Sequence, residues 1–331
     1  MAAADKPALA AATPVGDPRG LVWEFHFGPD GLMAAAAVEG GWTWRNHSLT
    51  DARGRNSIDT AEDAPRPARE ALLATPGTLH LDQDGDWFHG TVPDIHHQSY
   101  TEAKEIGHFR FAFCDAALIT ARRQPLQSVD DVRRLVEQRK RAFRTPGALV
   151  EAIIVISLER MAAELVRIGH DLDSIEDSIV GDAWHRERER LTAARRNLVF
   201  IHRQVASVSG LFRHVEHVGS ADLSGPVADI VGRLSHRAVA LLHDSEQAQS
   251  RARLLQDELM AKLSAESNRL LYVLSVLTAV LLPMTIISGL FGMNVGGLPF
   301  TENRAGFWIV SVASVAIAAG VFLSVSRIGR R

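Results

Sequence analysis

Cysteine is nearly absent from this chain of 331 residues, in which Cys114 is the only one. A single thiol cannot build a disulfide framework within the chain or a metal site made of several thiolates. This usage is typical of a domain in the cytosol. The sequence also lacks a Walker loop, a His-Glu-x-x-His helix and a Gly-x-Ser-x-Gly elbow, so we expect neither an enzyme nor a bound cofactor.

A secretory signal is also missing. The first residues are rich in alanine and proline, but Lys6 is their only basic residue, it follows Asp5, and no unbroken apolar segment comes after it. We interpret residues 1–20 as a disordered lead.

Charged residues are absent from two long runs near the end of the chain, between Arg269 and Glu302 and from Ala305 to Ser326. A helix needs about 20 apolar residues to cross the hydrocarbon core of a bilayer. Both runs are long enough. They predict a membrane hairpin with helices at residues 270–292 and 307–326 and a loop at 293–306.

The flanking charges predict the orientation of this hairpin. Arg269 precedes the first apolar run, and the basic tail 327–331 follows the second. The only charged residues of the loop are Glu302 and Arg304, which cancel. By the positive-inside rule, both termini of this multi-pass protein lie in the cytoplasm and the loop lies outside.

The charge balance argues against a nucleic-acid partner. The chain has 36 basic and 39 acidic residues, and most charged residues of the C-terminal part are basic. The remaining part is therefore more acidic than the whole, whereas nucleic acid requires a basic face.

Residues 21–125 have the pattern of strands and hairpins. Short alternating or aromatic-rich runs occur there, separated by turns rich in Gly, Pro and Asp. These runs are at 22–27, 42–44, 78–81, 86–92 and 107–113.

Residues 126–226 have a helical pattern instead, and we expect an antiparallel helix pair within them. Ser128 with Asp131 predicts a capping box at one helix start. Thr145 followed by Pro146 predicts an N-cap with proline at the first helical position.

The next helix is predicted to be very long. From Val227 to Leu282 there is no proline, and apolar or small residues recur every 3.5 positions from 227 to 259. The stalk 227–269 should therefore continue without a break into the first membrane helix, over roughly 65 residues or about 100 Å. A helix of that length needs partners along its length, and two membrane helices per chain cannot enclose a pore, so we expect a ring of chains.

The first membrane helix is too polar for a simple anchor. It carries Ser275, Thr278, Thr285 and Ser288, with Pro283 in its middle. Proline within a spanning helix requires neighbouring helices, hydroxyls or water to satisfy the freed carbonyl. A pore-lining helix explains this composition, and a tail anchor with incidental hydroxyls is the alternative.

This helix ends in the sequence from Pro283 to Asn294, in which Gly292, Met293 and Asn294 follow an aromatic residue. The segment resembles the signature of the CorA-type divalent-cation transporter superfamily. The continuation Val-Gly-Gly-Leu-Pro at 295–299 is similar to the zinc-transporting ZntB branch, and the acidic loop of the magnesium branch is missing. The resemblance extends to Trp42-x-Trp44 and to the acidic stretch 172–177.

The resemblance implies an α+β cytoplasmic domain, with a mixed sheet flanked by helices, that leads into long α-helices and the membrane hairpin. It also implies a funnel-shaped homo-oligomer, a pentamer, embedded in the lipid bilayer. Gly292, Met293 and Asn294 would form the entrance, with Asn294 binding the hydrated ion through neutral oxygens. The transported ion would be Zn²⁺, with Mg²⁺ or Co²⁺ as the alternative, and a tethered coiled-coil scaffold without transport is a third possibility.

Helical spacing back from Thr285 predicts one pore-lining face on which small polar and bulky apolar residues alternate. Its positions are Thr285, Leu282, Thr278, Leu274, Leu271, Asn268, Ser264 and Met260, with Asp257 as a metal ligand at the cytoplasmic end. Such a face suits hydrated stations separated by hydrophobic constrictions. Packing of the same face on a neighbouring helix is the alternative.

Histidines offer a further candidate for metal binding. His96 and His97 lie near His89, and His214 and His217 are three residues apart on a predicted helix. Zinc usually draws three or four ligands. Because His214, Glu216 and His217 cannot all share one helix face, we interpret the two histidines of this helix as solvated.

Overall fold

The first two-fifths of the chain forms a mixed sheet with helices on it. The computed structural model describes residues 20–74, 79–95, 106–181, 183–218, 223–293 and 305–328. The sheet strands are β1 (Leu21–Phe27), β2 (Met33–Ala34), β3 (Trp42–Ser48), β4 (His80–Asp84), β5 (Trp87–Ile95), β6 (Ile106–Phe113) and β7 (Ala117–Arg122). Two short helices, α1 (Ala52–Asp59) and α2 (Arg66–Leu73), separate β3 from β4.

The strand order is β2-β1-β3-β7-β6-β5-β4, and all neighbouring pairs are antiparallel except β3 and β7, which are parallel. A side-chain hydrogen bond crosses this central parallel pair, because Trp44 Nε1 donates to Thr120 Oγ1 at 2.9 Å. The expected mixed sheet flanked by helices is confirmed.

One face of the sheet carries a large aromatic core. In β1 the buried positions alternate with half-buried ones, so Trp23, Phe25 and Phe27 share that face. Phe27 stacks on Trp42 with ring centroids 3.9 Å apart. The Trp42 indole Nε1 also donates to the carbonyl of Phe143, at 3.0 Å, which joins the sheet to the helical part that follows.

The helical part contains α3 (Gln127–Glu137), α4 (Pro146–Val180), α5 (Glu187–Val218) and the start of α6 (Gly225–Gly292). The predicted start of α4 is confirmed: Thr145 Oγ1 accepts a hydrogen bond from Ala148 N at 3.2 Å, and Pro146 is the first helical residue. The α4 and α5 helices pack against each other.

The predicted capping box at α3 is wrong. The helix begins after Leu126, which makes no side-chain cap. Ser128 donates its hydroxyl to the carboxylate of Asp94 on β5, and Asp131 pairs with Arg160 of α4. Asp94 is only 1% exposed, and a buried carboxylate needs a hydrogen-bond donor. The N–H groups at a helix start open to water can bond water instead. The Ser128 hydroxyl therefore bonds Asp94 and does not cap the helix.

The long helix is observed as predicted, because α6 runs unbroken over 68 residues. Its predicted apolar stripe from Val227 to Leu259 is buried at nearly every position. Two arginines of α6 form ion pairs with acids of α4. Arg233 pairs with Glu151 at 2.7 Å, and Arg251 pairs with Asp173 and Glu176. Up to Arg253 the stripe therefore finds its partners within the chain.

The chain divides into two compact units, Met1–Arg253 and Leu254–Arg331. The second unit consists of the end of α6 and α7 (Gly306–Ile328). Both helices contain an apolar window long enough to cross a membrane, with a mean hydropathy of 2.4 in α6 and 2.2 in α7. No residue in the α6 window is buried. The lead 1–19 and the loop 294–304 lie outside the described residues.

Candidate functional site

The candidate site is the membrane part of α6, and it has two unlike sides. Val276, Val280, Pro283 and Ile287 are half-buried and recur at helical spacing, so they form one stripe. A similar stripe runs along α7 through Val310, Ser314, Ala318 and Val321. Since these two helices make up the unit, we interpret the stripes as the surfaces on which they pack against each other.

The predicted pore-lining face lies on the other side of α6. At about 100° per residue, Thr278, Leu282 and Thr285 are turned roughly half a circle from the stripe that α7 covers. Leu271, Leu274 and Leu282 are 57%, 59% and 56% exposed within the single chain. A leucine face this open is available to lipid, to another chain or to a pore.

The remaining predicted positions lie nearer the cytoplasmic end of α6. Met260 is 41% exposed, and Asp257, Ser264 and Asn268 are exposed as well. From 264 to 275 every residue around the helix is exposed. Exposure therefore singles out the pore face only in the part of α6 that α7 covers.

The two threonines of this face are held in a defined orientation. Thr278 Oγ1 donates to the carbonyl of Leu274 at 2.9 Å, and Thr285 Oγ1 donates to the carbonyl of Leu281 at 2.7 Å. A hydroxyl has one proton to donate and two lone pairs to accept with. Because the proton is used inside the helix, the outward side of each threonine offers an acceptor, which is the group that the water shell of a cation requires.

Pro283 stands inside the helix between these threonines. Proline has no N–H, so the carbonyl one turn earlier, that of Ala279, loses its helical donor. The helix nevertheless continues to Gly292. A free carbonyl at this depth must be satisfied by a neighbouring helix or by water.

The predicted entrance is described only in part. Gly292 is the last residue of α6, and Met293 follows it with its side chain 49% exposed and its N–H directed to the carbonyl of Leu290 at 3.4 Å. Asn294 lies outside the described residues, so its role at the mouth stays a prediction.

The interpretation of the α5 histidines as solvated agrees with the structure. His214 and His217 are exposed, and the ring of His217 is 2.9 Å from the carbonyl of Arg213. His96 and His97 lie outside the described residues. Within the part of the chain that is described, no three His, Cys, Asp or Glu side chains are arranged as a metal centre.

The burial of two polar side chains in the sheet was not predicted. Arg110 is 1% exposed on β6, and burial lowers the pKa of its guanidinium, with Arg123 adding to the effect. His89 is 4% exposed on β5, and burial lowers its pKa as well. Each lies in a run of buried residues, where the pattern of neighbours predicts an apolar core.

Two exposed apolar helices of spanning length, following a large polar unit, are the features of an integral membrane protein. The family model for the CorA-like Mg²⁺ transporter protein matches residues 39–327, so this chain belongs to the CorA family of divalent-cation transporters. The resemblance based on Gly292, Met293 and Asn294 is thereby confirmed for the family.

The chain is also similar to proteins that carry different names. The divalent cation transporter CmaX of Pseudomonas aeruginosa is 26% identical over 208 residues, which are 62% of this chain and 62% of CmaX. The zinc transport protein ZntB of Yersinia enterocolitica is 24% identical over 258 residues, 78% of each chain. The solved structure of full-length CmaX has the same fold, with a TM-score of 0.76 at 21% identity, over 94% of this chain and 98% of that one.

Proposed function

We propose that this chain carries zinc across the cell inner membrane, through a pore lined by the exposed face of α6 in a ring of identical chains. The supporting observation is that α6 has two unlike sides: one side is half-buried, and the opposite side combines threonine hydroxyls bonded within the helix with exposed leucines. Lipid contact alone gives no reason for the two hydroxyls, whereas a hydrated ion passing along the face does.

The ring follows from the number of helices. In the described part of the chain two helices are long and apolar enough to span a membrane. Two helices cannot enclose a pore, so α6 helices from several chains have to surround the axis. We propose five chains, with Asn294 of each at the outer mouth. In this arrangement Thr285 and Thr278 form polar rings, and Leu282, Leu274 and Leu271 form apolar constrictions that close by dewetting.

Zinc is the favoured cargo because of the outer loop and the relatives. The loop has one acid, Glu302, with Arg304 two residues later, so it provides little negative field to attract magnesium. Zinc binds nitrogen and oxygen donors more tightly than magnesium does, so a neutral mouth can still recruit it. The relatives named ZntB are zinc transport proteins. Magnesium or cobalt is the alternative cargo.

We propose uptake as the direction of transport, with both termini in the cytoplasm. A potential of 100 mV, negative inside, favours entry of a doubly charged cation by about 4.6 kcal/mol. No further energy source is then required for inward flux.

The test is metal uptake into proteoliposomes that contain the purified chain, with protein-free liposomes as the control. We expect zinc uptake at micromolar external metal that a large excess of magnesium barely inhibits. Runs with and without a pH gradient show whether protons take part. Full inhibition by magnesium at a comparable concentration would favour magnesium or cobalt as the cargo. No flux of any of the three ions would favour the third alternative, a tethered coiled-coil scaffold without transport.

A further inference from the structure

The buried histidine of β5 has an unusual environment. The side chain of His89 is 4% exposed, and neither Nδ1 nor Nε2 has a hydrogen-bond partner. Buried polar groups in folded proteins nearly always have one, and in a neutral imidazole one ring nitrogen donates and the other accepts. An imidazole that is buried without partners suggests a missing ligand.

The neighbours of His89 are groups that bind metal ions. In the antiparallel pair of β4 and β5, Asp82 is directly opposite His89, and His80 is opposite Thr91. Side chains directly opposite each other, and those two residues apart on one strand, point to the same face of a sheet. His80, Asp82 and His89 therefore share one face, and the two imidazole rings lie with their centroids 6.0 Å apart.

The charges around His89 suit a cation. Asp82 is directly opposite His89 in the strand pair, and the carboxylates of Asp82 and Asp84 both interact electrostatically with its ring. Imidazole and carboxylate side chains together form a donor set that binds a divalent metal ion.

We propose that His80, Asp82 and His89 form a binding site for a zinc-class divalent cation on the hairpin of β4 and β5. Two imidazoles and one carboxylate form a donor set for zinc, with water in the fourth position, whereas magnesium takes oxygen ligands. The site goes beyond transport, because it belongs to the first unit and none of its residues is on α6.

The site closes when the ion binds. In the described part of the chain these side chains are not yet arranged as a metal centre. Asp82 is exposed, and one of its carboxylate oxygens accepts from the backbone N–H of Gln83 at 2.9 Å. An exposed side chain held by one local hydrogen bond can rotate at small cost.

The experiment is zinc binding to the purified full-length chain in detergent, by equilibrium dialysis against buffered free zinc with millimolar magnesium present. Asp82→Asn and His89→Gln should each bind about one zinc ion fewer per chain than the wild type. His214→Gln, which removes an exposed histidine of α5, is the matched control and should bind as the wild type does.

Cobalt provides a second readout. The wild type loaded with Co²⁺ should show the visible absorption of a tetrahedral site with nitrogen ligands, and Asp82→Asn should lose it. Asp82 is exposed, so this variant keeps the test valid even if His89→Gln fails to fold. Unchanged zinc stoichiometry and an unchanged cobalt spectrum in Asp82→Asn would overturn the proposal. Binding is measured without flux, so failure here is distinct from failure of zinc transport.

Discussion

Thr285 donates its hydroxyl proton to the carbonyl of Leu281 at 2.7 Å, one turn earlier on α6. The bond fixes the side chain against its own helix and leaves the oxygen lone pairs directed away from it. Thr278 repeats the arrangement with Leu274 two turns earlier. The two residues thus present acceptors at regular spacing along the exposed side of α6.

Replacing this hydroxyl should reduce transport without harming the fold. Thr285→Val keeps the shape of the side chain and removes the acceptor, so we expect zinc uptake to fall about tenfold, since one lost hydrogen bond of about 1.4 kcal/mol corresponds to that factor. Uptake by proteoliposomes is the measurement. Ser314→Ala on α7 is the control, because Ser314 makes the same type of bond, to Val310 at 2.8 Å, on the stripe that faces α6. Equal losses in both variants would indicate a helix-stability effect.

Thiol labelling distinguishes the two sides of α6. In a Cys114→Ser background, Thr278→Cys should react with a charged methanethiosulfonate reagent, and the reaction should block uptake because the new cation stands in the ion path. Val280→Cys, on the stripe that faces α7, should react much more slowly. Similar reaction rates at the two positions would contradict the assignment of the pore face.

The sequence was sufficient to predict the parts of this protein that depend on periodicity. The buried stripe from Val227 to Leu259 and the unbroken helix through it follow from spacing alone, because a helix repeats every 3.6 residues and its apolar side must be covered. The strands of the sheet were harder to predict. The central strand β7 is buried at Leu118, Ile119, Thr120 and Ala121 in succession, so it lacks the alternation that marks a strand with one solvated face.

Long-range polar contacts could not be predicted from the sequence. Ser128 looked like a helix cap, but its partner is Asp94, 34 residues away. Arg251 bonds Asp173 and Glu176, more than 70 residues away, although the acidic stretch itself was noted as a family feature. Such contacts depend on the finished packing and not on local spacing.

The mouth residue has the strongest expected effect. Asn294→Ala should abolish or strongly reduce uptake, because the hydrated ion loses its first ring of acceptors. Asn294→Asp should bind ions more tightly and conduct less, since a ring of carboxylates makes exit costly. Both are measured in liposomes after size-exclusion chromatography shows an intact oligomer. Wild-type flux in Asn294→Ala would rule out a role in selectivity.

Arg251 should contribute to the stability of the helical part. It makes ion pairs with two acids of α4, but its side chain is 42% exposed, so solvent weakens them. Arg251→Gln should lower the free energy of unfolding by about 1 kcal/mol, and less in high salt. Arg237→Gln is the control, because its pair with Glu159 is 3.7 Å long and both partners are more than half exposed. Denaturant titration in detergent measures the free energy of unfolding of each variant. Equal losses in Arg251→Gln and Arg237→Gln would contradict the prediction.

Stability should also fall in mild acid. Burial is the main cause that lowers the pKa of His89 and of His108 from the usual 6.5, so the unfolded chain binds protons more readily than the folded one below that pH. The stability that depends on neutral His89 is fully present above pH 6.5 and is lost as pH falls through the lower folded pKa. The groups that act on His89 are His80, which lowers its pKa, and Asp82 and Asp84, which raise it.

We therefore expect the melting temperature of the chelator-treated protein to decrease between pH 7 and pH 5.5. His89→Gln should show a shallower decrease, because it removes a group that takes up a proton on unfolding. His214→Gln, which changes an exposed histidine of α5, should keep the wild-type slope. Identical slopes in wild type and His89→Gln would show that the buried imidazole does not govern the response, because a group with a lowered folded pKa must bind protons on unfolding in this range.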